Sequence, residues 1–190
     1  MTTTTPAPIP TEWRGITFRS RLEARWAMFF DGAGIAWEYE AEAYELPSGR
    51  YLPDFWLPAV VGPGTPGVPG VHFEVKGTEP TDAEMRRCFE LSDLLGGGVA
   101  YVAWGGLPTA PYDVLAPAGT VARDIEFVAS QSHDMGYWFC DCTRCGTVGV
   151  QFEARAERNC RCHGPDKVRH VGQRLTAAME AARTHRWWNP

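Results

Sequence analysis

Tyr51-Leu52-Pro53-Asp54-Phe55-Trp56 and Phe73-Glu74-Val75-Lys76-Gly77 decide how this chain is read. Both are short apolar runs of the aromatic and β-branched kind that strands favour, and both carry charge where a buried strand has no use for it. Side chains alternate faces along a strand, so Glu74 and Lys76 point one way while Val75 packs into the core. If the two strands pair as a hairpin, with Pro53-Asp54 in the middle of the first, Asp54 comes beside Glu74. Two carboxylates and one ammonium then share one cluster. The competing assignment is a solvent-facing Glu74–Lys76 pair on an edge strand. Against it, acidic side chains inside apolar strands are costly to bury without a partner or a metal.

Such a cluster suits one chemistry. Two hard oxygen ligands hold Mg²⁺ or Mn²⁺, which reaches the substrate's phosphate. The ion polarises a phosphoryl oxygen and lowers the pKa of a bound water. Lys76 would orient or deprotonate the attacking water and steady the charge of the transition state.

Working outward, Phe18 to Phe30 reads as an amphipathic helix, with Leu22, Trp26, Phe29 and Phe30 on one stripe. Asp31-Gly32-Ala33-Gly34 stops it. Glu23, one residue from Leu22 and three from Trp26, either borders the apolar stripe or is an exposed residue on the polar side of the helix. Ile35 to Leu46 reads as a first strand in which Glu38 and Glu40 are solvated positions, Glu40 near the mouth of the site. Gly49 breaks it, Arg50 to Val61 is the second strand, and Val71 to Gly77 the third. The Gly- and Pro-rich run from Gly62 to Gly70 is a loop. Thr81 caps a second helix, with Glu84 three residues on as a capping box, and Gly96 to Gly98 end it. Cys88 falls on its apolar face as a core residue. Val99 to Trp104 is a fourth strand, and Ile125 to Val128 is a candidate further one. The order of elements implies an α/β core, its first three strands an antiparallel meander because their connections are too short for crossovers.

Five of the six cysteines lie between positions 140 and 162. Cys142-Thr143-Arg144-Cys145-Gly146 is a knuckle whose turn aims both sulfurs at one point, and Cys160-Arg161-Cys162 follows with His163 adjacent. Cys142, Cys145, Cys160 and Cys162 form a zinc-ribbon-like set suited to structural Zn²⁺. Cys140 is an alternative to Cys142, and His163 to Cys162; the plain alternative is buried thiols or a disulfide. So small a module has little core of its own, so the metal would be its main fold determinant. Gly172 to Trp187 closes the chain as a helix with Leu175, Met179 and Ala182 on one face. Trp187 and Trp188 are expected to pack back onto the domain, the alternative being that His185 to Trp188 stack on bases.

Composition sets the outer limits. The 190 residues are 44% hydrophobic and 22% charged, and no run of about 20 apolar residues offers a membrane span. The Thr- and Pro-rich start has no charged or apolar run of a secretory signal and reads as a disordered tail ending near Trp13. A cytoplasmic protein is expected, at the nucleoid or in a phage-infected cell. A net charge of −5 argues against a chain that coats DNA, but it does not exclude an enzyme acting on it. Local charge differs: Arg14, Arg19, Arg21 and Arg25 cluster near the start, and Arg155 and Arg158 belong to a basic segment that runs from Ala154 to the end. Of these, Arg19, Arg21, Arg155 and Arg158, together with Arg86 and Arg87 on the second helix, are candidates for contacting DNA phosphates.

The ordered set FRSRLEARWAMFF, GIAWEYE, YLPDFWL and FEVKG resembles the PD-(D/E)XK nuclease superfamily, in particular small phage- and transposon-type members that open with a helix carrying S-x-x-E. The likeness covers about residues 14 to 104. It implies that Asp54, Glu74 and Lys76 are catalytic. It also implies that Glu23, in Ser20-Arg21-Leu22-Glu23, adds a third acidic residue to the metal site, and that the Val75 carbonyl completes the metal shell.

The expected fold is thus a restriction-endonuclease-like α/β core, a mixed central sheet flanked by helices, plus a small zinc-binding C-terminal module. The expected divisions are 1–12 tail, 13–132 nuclease core, 133–170 zinc-ribbon-like module and 171–190 C-terminal helix. The expected activity is Mg²⁺- or Mn²⁺-dependent hydrolysis of DNA, structure-selective in the manner of a junction resolvase, which would act as a homodimer. The alternative is a non-catalytic DNA- or partner-binding protein on the same fold.

Overall fold

The computed structural model describes residues 7–62, 69–96, 100–105, 107, 137–142, 144–152 and 172–187. Strands β1 (Thr11–Trp13) and β2 (Ile16–Phe18) form an opening hairpin. Its turn residues, Arg14 and Gly15, take φ of 52° and 78°, the two-residue geometry whose twist matches that of paired strands. Thr11 and Glu12, expected to end a disordered tail, are therefore strand residues. Helix α1 (Arg21–Gly32) starts at Ser20, whose hydroxyl accepts from the Glu23 N–H. Phe18 closes the hairpin, so the helix begins later than its apolar periodicity suggested. Trp26, Phe29 and Phe30 are fully buried, as the stripe required, and Leu22 borders them.

Two of the expected strands are divided. The first contains β3 (Glu38–Tyr39) and β4 (Tyr44–Leu46), the second β5 (Gly49–Tyr51) and β6 (Phe55–Val61). β4 and β5 pair with each other as a separate hairpin. Pro53 has no N–H to give a ladder, and the chain bends before β6. Asp54 accordingly lies in that bend, not in mid-strand.

The remaining elements are β7 (Pro69–Lys76), α2 (Asp82–Leu94), β8 (Ala100–Trp104), β9 (Tyr137–Asp141), β10 (Val148–Phe152) and α3 (Gln173–Thr184). The main sheet runs β8-β7-β6-β10-β9, and β3 also pairs with β6. It is mixed: β6–β7, β3–β6 and β9–β10 are antiparallel, β7–β8 and β6–β10 parallel. The expected meander is present as β3–β6–β7, although β3 contributes two residues only. β3 covers the start of β6 and β10 meets its end at Val61, while the register shifts around Pro58, which cannot donate to a ladder.

Helices cover both faces. On one, α1 and α3 pack over Phe55, Leu57, Val71, Phe73, Val75, Phe139, Val148 and Val150. On the other, Cys88 and Leu91 of α2 meet Leu46, Tyr51, Ala100 and Val102. The residues of β7 divide by parity: Val71, Phe73 and Val75 face α1, leaving His72, Glu74 and Lys76 for the α2 face. Leu175, Ala178, Met179 and Ala182 are the buried face of α3. Arg25 of α1 closes the end of α3 by donating to the carbonyls of Ala182, Arg183 (2.7 Å) and His185 (2.9 Å). Trp187 packs back against Trp13.

Among the described residues no helix is long and apolar enough to cross a membrane. The candidate strand Ile125–Val128, most of the 62–70 loop, Arg155, Arg158, Cys160, Cys162, His163 and Trp188 lie outside the described residues.

Candidate active site

β7 is an interior strand between β6 and β8, so its polar face does not open to solvent along an edge. Glu74 is 5% exposed and Asp54 2%, which disposes of the solvent-facing pair. The antiparallel β6–β7 register brings the two carboxylates together, and the Asp54 N–H donates to Glu74 Oε2 at 3.2 Å. The Val75 N–H in turn donates to Asp54 Oδ2 at 2.7 Å. Lys76 lies two residues beyond Glu74 on the same face, its Nζ 2.7 Å from Glu74 Oε1. A second carboxylate, Glu84, holds Nζ from the other side at 3.4 Å. Glu84 also closes the capping box of α2, its Oε2 accepting from the Thr81 N–H at 2.8 Å. One residue thus starts the helix and steadies the lysine.

The other wall comes from α1. Glu23 is 6% exposed, at the border of the apolar stripe and turned inward. Its Oε1 accepts from Ser20 Oγ (2.7 Å) and its Oε2 from the Tyr39 hydroxyl (2.6 Å) and the Arg19 N–H (3.2 Å). The Arg19 guanidinium bridges the two walls. Nη2 pairs with Asp54 Oδ1, and Nε lies 3.1 Å from Glu40 Oε1 and 3.9 Å from Glu23 Oε2. Glu40 therefore does stand at the mouth, while Glu38 is solvated.

Tyr51 and Tyr39 belong to the site and were not singled out from the sequence. Tyr51 donates to Glu74 Oε2 at 3.0 Å and touches Cys88 Sγ at 3.4 Å. Burial, then Cys88 and Glu74 beside it, holds its phenol far above the usual range, so it remains a donor. The available signal was an aromatic residue with a polar tip three positions before Asp54, in a stretch due to be buried.

The electrostatics leave negative charge in excess. Burial first, then Glu74 and Glu23, pushes the Asp54 carboxyl up to about 8, against the pull of the Val75 N–H and Arg19. Burial also works against the Lys76 charge, but Glu74, Asp54 and Glu84 outweigh it and hold the ammonium above the ordinary lysine range.

Among the described residues no three His, Cys, Asp or Glu side chains are gathered to hold a metal as they stand. Asp54 and Glu74 are brought together directly; Glu23 reaches them through Arg19. Two adjacent carboxylates with open lone pairs and uncompensated charge still fit Mg²⁺, which takes one or two protein carboxylates and fills its shell with water and phosphate. Of the candidate phosphate contacts, Arg19 is at the mouth, while Arg21 is half-buried, near Arg25. Arg86 is exposed and lines a cavity of about 420 Å³ with Met85, Phe89 and Trp104, while Arg87 is half-buried.

The cysteine knuckle sits at the tip of the β9–β10 hairpin. The Gly146 N–H closes on the Cys142 carbonyl at 2.8 Å, and Gly146 takes a φ of 73°. Cys142 Sγ accepts from the N–H groups of Arg144 and Cys145, both at 3.4 Å. The turn thus directs two backbone N–H groups at one sulfur. Cys140 lies within β9, its thiol donating to the Gly149 carbonyl at 3.6 Å.

The raised Asp54 pKa has a consequence for stability. The folded chain keeps a proton on Asp54 that the unfolded chain releases near the ordinary value of about 4. This contribution is complete below about pH 4 and is lost as the pH rises toward about 8. Asp54→Asn keeps an acceptor for Val75 and removes the titration. In metal-free buffer it is expected to flatten the decline in urea-unfolding free energy between pH 5 and 8 and to exceed wild type at the alkaline end. A variant whose pH profile parallels wild type contradicts this assignment. Comparison with known proteins is silent here: no family model, curated protein or solved structure matches the chain.

Proposed function

We propose that this chain is a divalent-metal-dependent DNA nuclease of the PD-(D/E)XK kind, on a restriction-endonuclease-like core with a zinc-stabilised C-terminal hairpin. The observation that carries the reading is the Asp54–Glu74–Lys76 constellation, its two carboxylates buried between the bend before β6 and β7, and its lysine held between two carboxylates. Asp54 and Glu74 would hold Mg²⁺ or Mn²⁺, with the Val75 carbonyl as a backbone ligand and Glu23 as the outer acidic residue. An ion bound there would polarise the phosphoryl oxygen and make water a better nucleophile.

The remaining work falls to the chain. Lys76 is kept charged by Glu74 and Glu84, so its task is to orient the attacking water and steady the phosphorane-like charge, not to remove a proton. Tyr51 fixes one oxygen of Glu74, and the Val75 N–H fixes one of Asp54, so both carboxylates are preorganised. Arg19 and Arg86, both exposed, would meet the DNA backbone. Arg25 is committed to the end of α3 and is not part of that surface. A junction-resolving or other structure-selective endonuclease suits so small a chain, and symmetric cutting would call for a homodimer. The ion pair between Arg19 and Asp54 favours the second reading, a non-catalytic DNA- or partner-binding protein in which that pair is permanent.

The test is cleavage of labelled linear duplex, single-stranded, flap and four-way-junction DNA with Mg²⁺, Mn²⁺ or EDTA. Cutting is expected with either metal, to stop in EDTA, and to fall by about 10²-fold or more in Lys76→Ala. Metal-independent binding of DNA with no cutting would instead establish the binder. For the hairpin, elemental analysis of the purified chain is expected to give one zinc per molecule, lost in Cys142→Ser. Zinc-free protein that is nonetheless folded would remove the zinc assignment.

A further inference from the structure

Arg19 is a residue of the site to which the hydrolytic reading gives no role beyond a general contact with DNA. Its backbone is fixed: it precedes the cap of α1, and its N–H is shared between Glu23 Oε2 (3.2 Å) and the Tyr39 hydroxyl (3.3 Å). Its side chain is 57% exposed and lies across the mouth of the carboxylate cluster. A guanidinium offers five donors in a planar fork and stays charged throughout the accessible pH range, so it can serve several carboxylates at once.

The carboxylates it serves are not equivalent. Asp54 and Glu23 are in the acidic set assigned to the metal; Glu40, at the end of β3 and 30% exposed, is outside it. A divalent ion drawing on Asp54 would thus meet a guanidinium already on Oδ1. Two cations at contact distance on one buried oxygen repel strongly, because little water screens them there. One must yield, and the exposed side chain with a second partner at the mouth is the one able to move. Releasing Asp54 while keeping Glu40 needs a change of side-chain rotamer only.

We propose that Arg19 is an internal counter-ion that competes with the divalent metal for Asp54, and that metal binding shifts its guanidinium onto Glu40, where it faces the incoming phosphate. This inference rests on the hydrolytic reading of the same site. Together with the proton that Asp54 retains at lower pH, it accounts for how a chain can fold around three buried carboxylates before metal is bound. It also makes metal affinity depend on a residue that ligates no metal.

Calorimetric titration of Mn²⁺ into the full-length chain without DNA at pH 8.5, where Asp54 is ionised and the guanidinium rather than a proton is the competitor, tests it, comparing wild type with Arg19→Gln and Arg19→Lys. Arg19→Gln is expected to bind Mn²⁺ at least tenfold more tightly than wild type, with Arg19→Lys between the two. Its thermal midpoint without metal is expected below that of wild type, with the gap closing at saturating Mn²⁺. Equal or weaker binding by Arg19→Gln, beside a wild type that does bind, overturns the counter-ion role and leaves the metal site standing. Binding by Arg19→Gln alone supports the role in its strongest form. If neither protein takes up Mn²⁺, the metal site and this inference fall together.

Discussion

Three carboxylates removed from water at one end of a sheet are the constraint around which this molecule is arranged. Asp54, Glu74 and Glu23 are each nine-tenths or more buried, within reach of two cationic side chains. Charges of one sign in such surroundings repel with little screening, and each also forfeits its hydration. The neighbours relieve part of this: Lys76 and Glu84 on one side, Arg19 and Glu40 on the other, with the Val75 N–H and two tyrosine hydroxyls between. What remains uncompensated shows in the carboxyl of Asp54, which burial and its acidic neighbours push upward. A packed protein that only needed to be stable would do better with apolar residues at these positions.

The fold explains how the cluster is assembled from distant parts of the chain. Pro53 bends the backbone so that Asp54 faces Glu74 across the start of β6. The parity of β7 sends Val71, Phe73 and Val75 into the aromatic core and leaves Glu74 and Lys76 for the site. α1 delivers Glu23 and Arg19 at its N-terminus while Trp26, Phe29 and Phe30 anchor the helix. α2 delivers Glu84 through its own capping box. Each contributing residue is therefore tied to an element whose position is set by buried apolar area, which is how a site acquires the rigidity that preorganised electrostatics need.

Much of this was legible beforehand, and for identifiable reasons. Period-3.6 spacing over Leu22 to Phe30, the Thr81–Glu84 capping box, and alternation through Val71 to Lys76 are local signals that survive folding. The shared face of Glu74 and Lys76 followed from strand geometry alone. Harder to read was the break-up of residues 35 to 61, where β3, β4 and β5 are two or three residues each. Strands that short are set by their partners, not by their own propensity. The cysteine density of residues 140 to 162 drew attention to metal ligands and away from Phe139, Val148 and Val150, whose alternation carries β9 and β10 into the main sheet and core. Arg19 could be seen as a basic residue, yet its three acidic partners come from three separate segments and only tertiary structure joins them.

On the proposed function, Asp54 and Glu74 hold a divalent cation. The most direct measurement of this is the anomalous difference map of crystals grown with Mn²⁺. A peak bonded to an oxygen of each of Asp54 and Glu74 at about 2.1 Å is expected, with the Arg19 guanidinium off Asp54. An Mn²⁺-saturated crystal with no peak there, and with Arg19 still paired to Asp54, would contradict that reading.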